Sequence, residues 1–288
     1  MKISFFTVLI FCFAGTFCST NAVWAESPTC PIDGDWEFIS DFSDEFNGES
    51  LDNEKWFDFN PAWIGRKPAL FSRDNVAVAN GMLQLTTREM PAEWETLENN
   101  VRGFHTYTTA IIKSKKRVLY GYFETRCRPM ASAASSAFWF YDPLDPPEKY
   151  KAGNCSEEID VFELFGKHPT MENTLYTTVH CQDTPYVESI VRLNLKSKGS
   201  KWKSPFKFVD DYHVYALLWT PEIMRWFIDG QEVWSLENTQ HHRPLHMMFD
   251  TEVFETWAGL PNSEDLPSTF YVDYVRCWQL KSDNNSAQ

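Results

Sequence analysis

Residues 154–166, NCSEEIDVFELFG, place four carboxylates within seven positions of an otherwise apolar stretch. The apolar residues between the acids are the β-branched and aromatic types that favour a β-strand. Like charges that are close together on a strand repel each other, so this arrangement needs either charged partners or a function. The four acids are Glu157, Glu158, Asp160 and Glu163.

Alternation along the strand decides which of these acids share a face. The side chains of Glu158 and Asp160 point to one side, whereas Glu157 points to the other. Strict alternation would send Glu163 into the core, where an unpaired carboxylate is strongly unfavourable. We therefore predict a β-bulge, with Phe162 as the extra residue, that returns Glu163 to the face of Glu158 and Asp160.

Two carboxylates on one face can flank a glycosidic bond. Hydrolysis with retention needs them ~5 to 5.5 Å apart, and hydrolysis with inversion ~6.5 to 9.5 Å. Across the bulge, the Cα atoms of Glu158 and Glu163 are expected to lie ~13 Å apart, at ~3.3 Å per strand step. Only a strongly concave sheet would tilt both side chains far enough toward each other for the retaining reaction.

The rest of the chain predicts an all-β fold around this strand. Short β-branched and aromatic runs recur between turns, without a segment of helical period or a linker, so we predict a single two-sheet β-sandwich. Two hairpins are predicted at Asn80-Gly81 and Asp229-Gly230. Further strands are predicted at residues 120–130, 175–182, 212–220 and 269–279.

The two ends of the chain depart from this pattern. Residues 1–25 have an early lysine, an apolar run and a small-residue exit, which is the layout of a secretory signal peptide. Residues 282–288 are polar and predicted to be disordered, so the folded domain is expected to span residues 26–281. We expect a secreted protein, either periplasmic or extracellular.

Charge and cysteine content narrow the function further. The net charge of −14 argues against nucleic acid or an anionic membrane as the partner. Five cysteines follow the signal segment, so one or two disulfides can form and at least one thiol stays unpaired. Their spacings match no zinc or redox motif, and we predict no metal site from them. The five are Cys30, Cys127, Cys155, Cys181 and Cys277.

The run Glu158-Ile159-Asp160-Val161-Phe162-Glu163 resembles the bulged E-I-D-x-x-E signature of glycoside hydrolase family 16. Flanking segments such as GYFETRCRPM, SAFWFY and VDYVRCWQ resemble successive strands of the family in order. The resemblance implies a concanavalin-like jelly roll with a concave substrate cleft and hydrolysis with retention. It implies no cofactor and leaves a structural calcium ion open. It assigns Glu158 as nucleophile, Glu163 as general acid/base and Asp160 as the helper between them.

Within the family, the chain is most similar to the κ-carrageenase and β-agarase branch of red-algal galactan hydrolases. The resemblance implies endo-hydrolysis of β-1,4-galactosidic bonds in carrageenan, furcellaran or agar. Where κ-carrageenases carry a sulfate-binding arginine, this chain reads MMFDTEVFETWAGLP, with acids and no arginine. A less sulfated galactan therefore suits this acidic protein better than fully sulfated κ-carrageenan.

Two alternatives remain at this stage. The first is a laminarinase or licheninase of the same family, with the same acids and a different cleft. The second is a jelly-roll lectin that binds without cleaving, although a lectin has no need for an acid that must hold a proton. In each reading the partner is a polysaccharide, and we expect a monomer.

Aromatic and polar residues near the motif are candidates for sugar contacts. The chain has 12 tryptophans, more than a core of this size needs, so some are expected on the surface as platforms for sugar rings. Each candidate has a structural alternative: a core or loop-anchoring tryptophan, a solvated arginine or an ordinary surface histidine. The candidates are Trp139, Trp63, Arg66, His180, His242, Arg243 and Trp257.

Overall fold

The computed structural model describes residues 27–142, 155–183 and 195–281. The predicted signal peptide at residues 1–25 and the predicted disordered tail at residues 282–288 lie outside these ranges. Regular structure within them is nearly all β. The strands are β1 (Trp36–Phe38), β2 (Trp56–Phe57), β3 (Ala69–Phe71), β4 (Val76–Ala79), β5 (Met82–Glu89), β6 (Tyr107–Thr109), β7 (Ile111–Val118), β8 (Gly121–Arg128), β9 (Ser135–Asp142), β10 (Cys155–Leu164), β11 (Thr174–Asp183), β12 (Leu195–Lys203), β13 (His213–Trp219), β14 (Ile223–Ile228), β15 (Gln231–Glu237), β16 (Leu245–Glu252) and β17 (Ser268–Leu280).

A short helix, α1 (Leu97–Arg102), interrupts the β structure and was not predicted from the sequence. Its six residues are too few to show a helical period; Thr96 caps its N-terminus and Gly103 (φ 84°) ends it. Across the described ranges, no helix has the length and apolarity needed to span a membrane. Single 3-10 turns lie at Ser40–Phe42, Arg73–Asn75, Ala92–Trp94, Phe208–Asp210 and Ser263–Asp265.

The described strands form two sheets, which confirms the predicted all-β sandwich. The larger sheet has the order β15-β14-β13-β8-β17-β5-β6-β3, with β1 added beside β17 and β4 beside β5. The smaller sheet has the order β12-β11-β10-β9-β16-β7-β2. The acidic strand β10 therefore lies inside the smaller sheet, between β9 and β11, with strands to either side of it.

The two sheets pack through a core rich in aromatic side chains. The rings of Phe162 on β10 and Tyr215 on β13 lie 4.5 Å apart between centroids, so they join the two sheets directly. Phe138 and Phe249, on neighbouring strands of the smaller sheet, stack at 4.3 Å. Because these rings fill one face of the smaller sheet, its other face is left to carry polar groups.

Both predicted hairpins are confirmed. Asn80 and Gly81 have φ of 57° and 71°, and they connect β4 to β5. Asp229 and Gly230 have φ of 49° and 78°, and they connect β14 to β15. Two successive residues of positive φ form the primed turn whose twist matches that of the flanking strands.

The described cysteines include both a disulfide-bonded residue and free thiols, as the odd number of cysteines after the signal segment predicts. Cys181 on β11 is disulfide-bonded, while Cys30, Cys127 and Cys277 are free thiols. Cys127 and Cys277 are fully buried in the core, where burial raises the pKa of both thiols. Two of the three free thiols are therefore packed as small apolar residues, away from solvent.

Candidate active site

A β-bulge in β10 brings three acids onto one face. Against β9, Asp160 and Phe162 pair with adjacent residues, which leaves Val161 without a partner. Against β11, three steps from Asp160 to Glu163 correspond to two steps on the partner strand. The extra residue beside β9 is thus Val161 and not Phe162, so the predicted bulge is present and its predicted position is wrong by one residue.

The bulge gives two consecutive apolar residues to the core. Val161 is 2% exposed and Phe162 is fully buried, with Ile159 and Leu164 buried on the same side. Sequence alone could not choose between Val161 and Phe162, because both side chains are apolar and both point inward. The result for the acids is the same in either case: Glu163 faces the side of Glu158 and Asp160.

The three acids line a cleft of about 350 Å³ on the outer face of the smaller sheet. The Glu158 side chain is 30% exposed and that of Asp160 only 7%, so the central acid is the most enclosed. Three of the predicted sugar-contact residues also line this cleft. They are Trp63, Arg66 and Trp139.

Two tryptophans form one wall of the cleft. The rings of Trp63, in the loop before β3, and Trp139, on β9, meet edge to face with centroids 6.1 Å apart. Phe71 supports Trp63 from behind at 4.9 Å. Large flat rings held in this way offer apolar faces to a sugar ring. The cleft also contains residues that sequence analysis did not single out: Asn60, Ala62, Lys113, Ala137, Tyr141 and Glu252.

His180 lies opposite Glu158 on β11 and contacts two of the acids. Its Nε2 is 3.5 Å from an oxygen of Asp160 and 3.8 Å from one of Glu158, and its Nδ1 is 2.6 Å from the hydroxyl of Ser197. Burial lowers the pKa of His180, but the contacts with Asp160 and Glu158 outweigh burial, so the pKa is raised. His180 therefore favours its charged form beside the acids.

These three side chains are also the ones that could gather around a metal ion. Ligand atoms of Glu158, Asp160 and His180 all lie within 4.8 Å of one another. The imidazole of His180 already contacts both carboxylates and supplies the positive charge they need. We therefore interpret the group as an ion-paired acid cluster.

Strand β16 contributes a second acidic pair to the site. Asp250 and Glu252 lie two residues apart on it, and both are buried. Arg66 donates from Nε to Glu252 at 2.8 Å. The signal for this pair was the alternation D-x-E in an apolar strand. From the sequence, this segment was noted only because it contains acids and no arginine. Its closeness to β10 depends on the order of strands in the sheet, which the sequence does not give.

Crowding of acids raises their pKa values. Burial, followed by the charges of Asp160 and Glu252, raises the pKa of Glu163 well above its usual range. Burial and Asp160 raise the pKa of Glu158 to about 8, with the charges of His180 and Arg66 opposing the rise. The cluster therefore retains protons at neutral pH, and these protons belong to the group rather than to single residues.

Arg243 and His242 are not among the residues that line the cleft. The backbone N–H and Nε of Arg243 donate to the two carboxylate oxygens of Glu157, at 3.1 and 3.0 Å. His242 is exposed and lies 2.9 Å from the hydroxyl of Tyr120 through Nδ1. The structure thus gives both residues other partners, and their role in binding sugar stays a prediction that the geometry does not support.

Trp257 lies beside the Glu163 end of the site. It is 40% exposed, and its ring packs 5.0 Å from that of Tyr176, which is the cross-strand partner of Glu163. Phe165 and Phe254 support it from the other sides, at 4.8 and 5.2 Å. An exposed ring fixed next to the cleft is a suitable surface for a further sugar unit.

Comparisons with known proteins identify the family of the chain. The family model "Beta-porphyranase A-D, GH16 domain" matches residues 36–280. The chain is 28% identical to β-porphyranase D of Zobellia galactanivorans, covering 94% of this chain and 67% of that protein. It is 28% identical to the κ-carrageenase of Pseudoalteromonas carrageenovora, covering 88% and 67%. The crystal structure of porphyranase B from Zobellia galactanivorans superposes with a TM-score of 0.72 at 25% identity, covering 88% of this chain and 99% of that chain.

Proposed function

The chain belongs to glycoside hydrolase family 16, in the group of the β-porphyranase A–D domains, and on this premise we propose that it cleaves a red-algal galactan internally with retention. Members of this family need no cofactor, and family membership sets the lectin alternative aside. The observation that carries the proposal is the bulge that aligns Glu158, Asp160 and Glu163 on the cleft floor.

In the first step, Glu158 is the nucleophile and Glu163 the general acid. A carboxylate oxygen of Glu158 forms a bond to the anomeric carbon while the glycosidic C–O bond breaks. Glu163 gives its proton to the leaving oxygen, and the sugar remains attached to Glu158 as an ester. The raised pKa of Glu163 supports this role, because the acid must hold a proton until the bond breaks.

In the second step, water replaces the departed sugar. Glu163, now ionised, takes a proton from the water as its oxygen attacks the anomeric carbon and the ester bond to Glu158 breaks. Two inversions at one carbon give net retention. Glu158 leaves as a carboxylate and Glu163 is protonated again, so both groups return to their starting states.

Asp160 and His180 prepare Glu158 for attack. Asp160, enclosed between the two glutamates, can share a proton with Glu158, and charged His180 favours the ionised form of both carboxylates. As Glu158 forms its bond to the sugar, its negative charge disappears and Asp160 no longer faces a like charge. Asp160 therefore serves as the helper of the nucleophile.

We propose a galactan as the substrate, with porphyran and agar ahead of κ-carrageenan. The names of the matched porphyranases support porphyran, and the lack of an arginine on β16 argues against a fully sulfated κ-carrageenan chain. Arg66 is the arginine in the cleft, and it is held by Glu252 at 2.8 Å. Trp63, Trp139 and Trp257 are the proposed platforms for sugar rings.

The proposal includes export of the protein before it acts. A galactan is a polymer outside the cell, and residues 1–25 have the layout of a signal peptide. We propose that the mature protein works as a monomer, with polysaccharide as its partner. Sizing the mature protein by light scattering, and sequencing the N-terminus of the exported form, tests both statements.

The defining experiment combines substitution of the two glutamates with a substrate panel. Glu158→Gln and Glu163→Gln are each expected to lower kcat/KM by at least ~10³-fold while keeping binding, because each removes one group of the double displacement. Glu232→Gln, an exposed change on β15 of the other sheet, is the control and should leave activity unchanged. Turnover near that of the wild type in either cleft variant rejects the assignment.

The panel should contain porphyran, agarose, furcellaran, κ-carrageenan, laminarin and lichenan. We expect cleavage of a galactan, with a rapid fall in chain length that marks internal cutting, and a first product of β configuration by proton NMR. Cleavage of laminarin or lichenan alone would instead identify a β-glucanase of the same family. A first product of α configuration would reject retention.

A further inference from the structure

Asp250 on β16 is a buried acid that the proposed mechanism does not use. It is fully buried, and neither carboxylate oxygen makes a hydrogen bond within the described part of the chain. Burial, followed by the charge of Glu252, raises the pKa of Asp250 well above its usual range. Arg66 and the nearby indole of Trp139, which does not meet hydrogen-bond geometry, oppose the rise. An unpartnered carboxylate weakens the fold, and such local costs are typical of functional sites.

Register across the smaller sheet brings Asp250 into line with Glu163. Asp250 pairs with Ala137 on β9, and Ala137 pairs in turn with Glu163 on β10. Two strand spacings of ~4.8 Å put the Cα atoms of the two acids ~9.6 Å apart. The residue between them carries only a methyl group, so no larger side chain separates the two carboxyl groups.

Charged groups around Glu163 are mostly acidic. Its own strand brings Glu158 and Asp160, and β16 brings Asp250 and Glu252; all four raise the pKa of Glu163. The guanidinium of Arg66 faces the group but is bonded to Glu252. Among the described residues, the remaining titratable or charged groups that face the site are Tyr176 and His180 on β11, Tyr141 on β9 and Lys113 on β7.

We infer that Asp250 is a positioning residue, a buried partner acid that keeps the proton on Glu163 until the leaving oxygen takes it. The inference rests on the proposed role of Glu163 as general acid/base. Asp250 is buried and is not among the residues that line the cleft, so it does not contact the substrate or the reacting atoms. The two acids are coupled across the short gap above Ala137, so that ionisation of either one disfavours ionisation of the other.

The test is the pH profile of kcat/KM on a cleaved galactan, at constant ionic strength. The side chain introduced by Asp250→Asn cannot ionise, so in this variant the carboxyl group of Glu163 no longer competes with a second acid and loses its proton at lower pH. The basic limb should then move down by roughly one pH unit. On the wild-type basic limb this is a loss of about tenfold, with the plateau at lower pH nearly unchanged. Asp273→Asn, which removes one acid from the other sheet, is the matched control and should not move the limb.

A second variant guards against failure of Asp250→Asn to fold. Ala137→Ser keeps both acids but places a hydroxyl between them, which can donate to an ionised carboxylate and favour it. The basic limb should again move to lower pH, by roughly half a unit. A shift in the same direction from two different changes points to the gap between Asp250 and Glu163.

Two results overturn the inference. One is a profile of Asp250→Asn, or of Ala137→Ser if that variant alone folds, that superposes on the wild type. The other is an equal loss of kcat/KM at every pH, which indicates a structural role.

Glu163→Gln separates this inference from the proposed function. If it stays active, the proposed function fails; if it is inactive while the limb of the Asp250 variant is unmoved, only the role of Asp250 fails.

Discussion

Acidic side chains are paired with arginines on the outer face of the larger sheet but are crowded together in the cleft. On the outer face, Glu45 receives two hydrogen bonds from Arg276 at 2.7 and 3.0 Å, and Asp273 receives one from Arg126 at 2.7 Å. In the cleft region, five acids face two permanent cations and one histidine. The five acids are Glu158, Asp160, Glu163, Asp250 and Glu252.

The same contrast occurs between two neighbours on β10. Glu157 faces away from the cleft and receives two hydrogen bonds from Arg243. Glu158 faces the cleft, and its ion-pair contact among the described residues is the long one to His180 at 3.8 Å. Paired acids are compatible with a stable fold. Crowded, poorly paired acids weaken the fold, and their raised proton affinity is useful for acid catalysis.

The largest effect on stability is expected from breaking the Glu157 pair. Arg243→Ala leaves Glu157, only 3% exposed, without its arginine. We expect the free energy of unfolding to fall by about 3 kcal/mol, because a buried charge that loses its partner is costly. Urea denaturation measures this change. Adding Glu157→Gln should recover part of the loss, and a loss under about 1 kcal/mol would contradict this account of the pair.

The cleft acids should make stability fall as pH rises. The pKa of Glu158 is about 8 in the folded protein against 4.5 for an ordinary glutamate, so the unfolded chain releases this proton at lower pH. The contribution of Glu158 to stability is therefore full below pH about 4.5 and declines as the pH rises to about 8. Unfolding free energies between these limits measure the slope. Glu158→Gln should flatten it, and Glu45→Gln should not; an unchanged slope in Glu158→Gln refutes the explanation.

His180 should set the acidic limit of activity. Its charge lowers the pKa of Glu158, so His180→Gln raises that pKa and the nucleophile ionises at higher pH. The acidic limb of kcat/KM should move up by roughly one pH unit, which is the reverse of the change expected on the basic limb when Asp250 is removed. Full profiles of both variants test this opposition. A uniform loss in His180→Gln would instead indicate a role in packing.

The smallest effect is expected on the outer face. Glu45→Gln removes one partner of a part-buried ion pair with Arg276 at the solvent-facing side of the sheet. We expect a loss of stability within about 1 kcal/mol and no change in activity, because pairs near solvent contribute little. Thermal unfolding and the galactan assay measure both. A larger loss would contradict the proposed difference in energetics between the acids of the outer face and those of the cleft.

Sequence alone predicted the parts of the site that depend on local order. Alternation on β10 and the need to keep Glu163 out of the core led to the shared face of Glu158, Asp160 and Glu163. Turn residues such as Asn80-Gly81 predicted the hairpins, since positive φ restricts the residue types there. The two-sheet fold followed from strand runs spread evenly along the chain.

The parts that failed depend on contacts between distant segments. Asp250 and Glu252 are about 90 positions from Glu163, and only the sheet order β16-β9-β10 brings them together. The contact of Arg243 with Glu157 was likewise missed, because the sequence neighbourhood of Arg243 does not reveal this partner; its role in binding sugar stays a prediction. The extra residue of the bulge is fixed by pairing with β9, which a single-strand pattern does not contain.

The bulge at Val161 also determines how β10 responds to a change in length. Deleting Val161 would restore regular alternation and keep Glu163 on the cleft face and Leu164 in the core, because Val161 is the residue without a partner on β9. Deleting a residue from a regularly paired strand such as β11 would instead invert every side chain that follows it. We therefore expect tolerance to shortening to differ sharply between these two places in the chain, although each would lose a single amino acid.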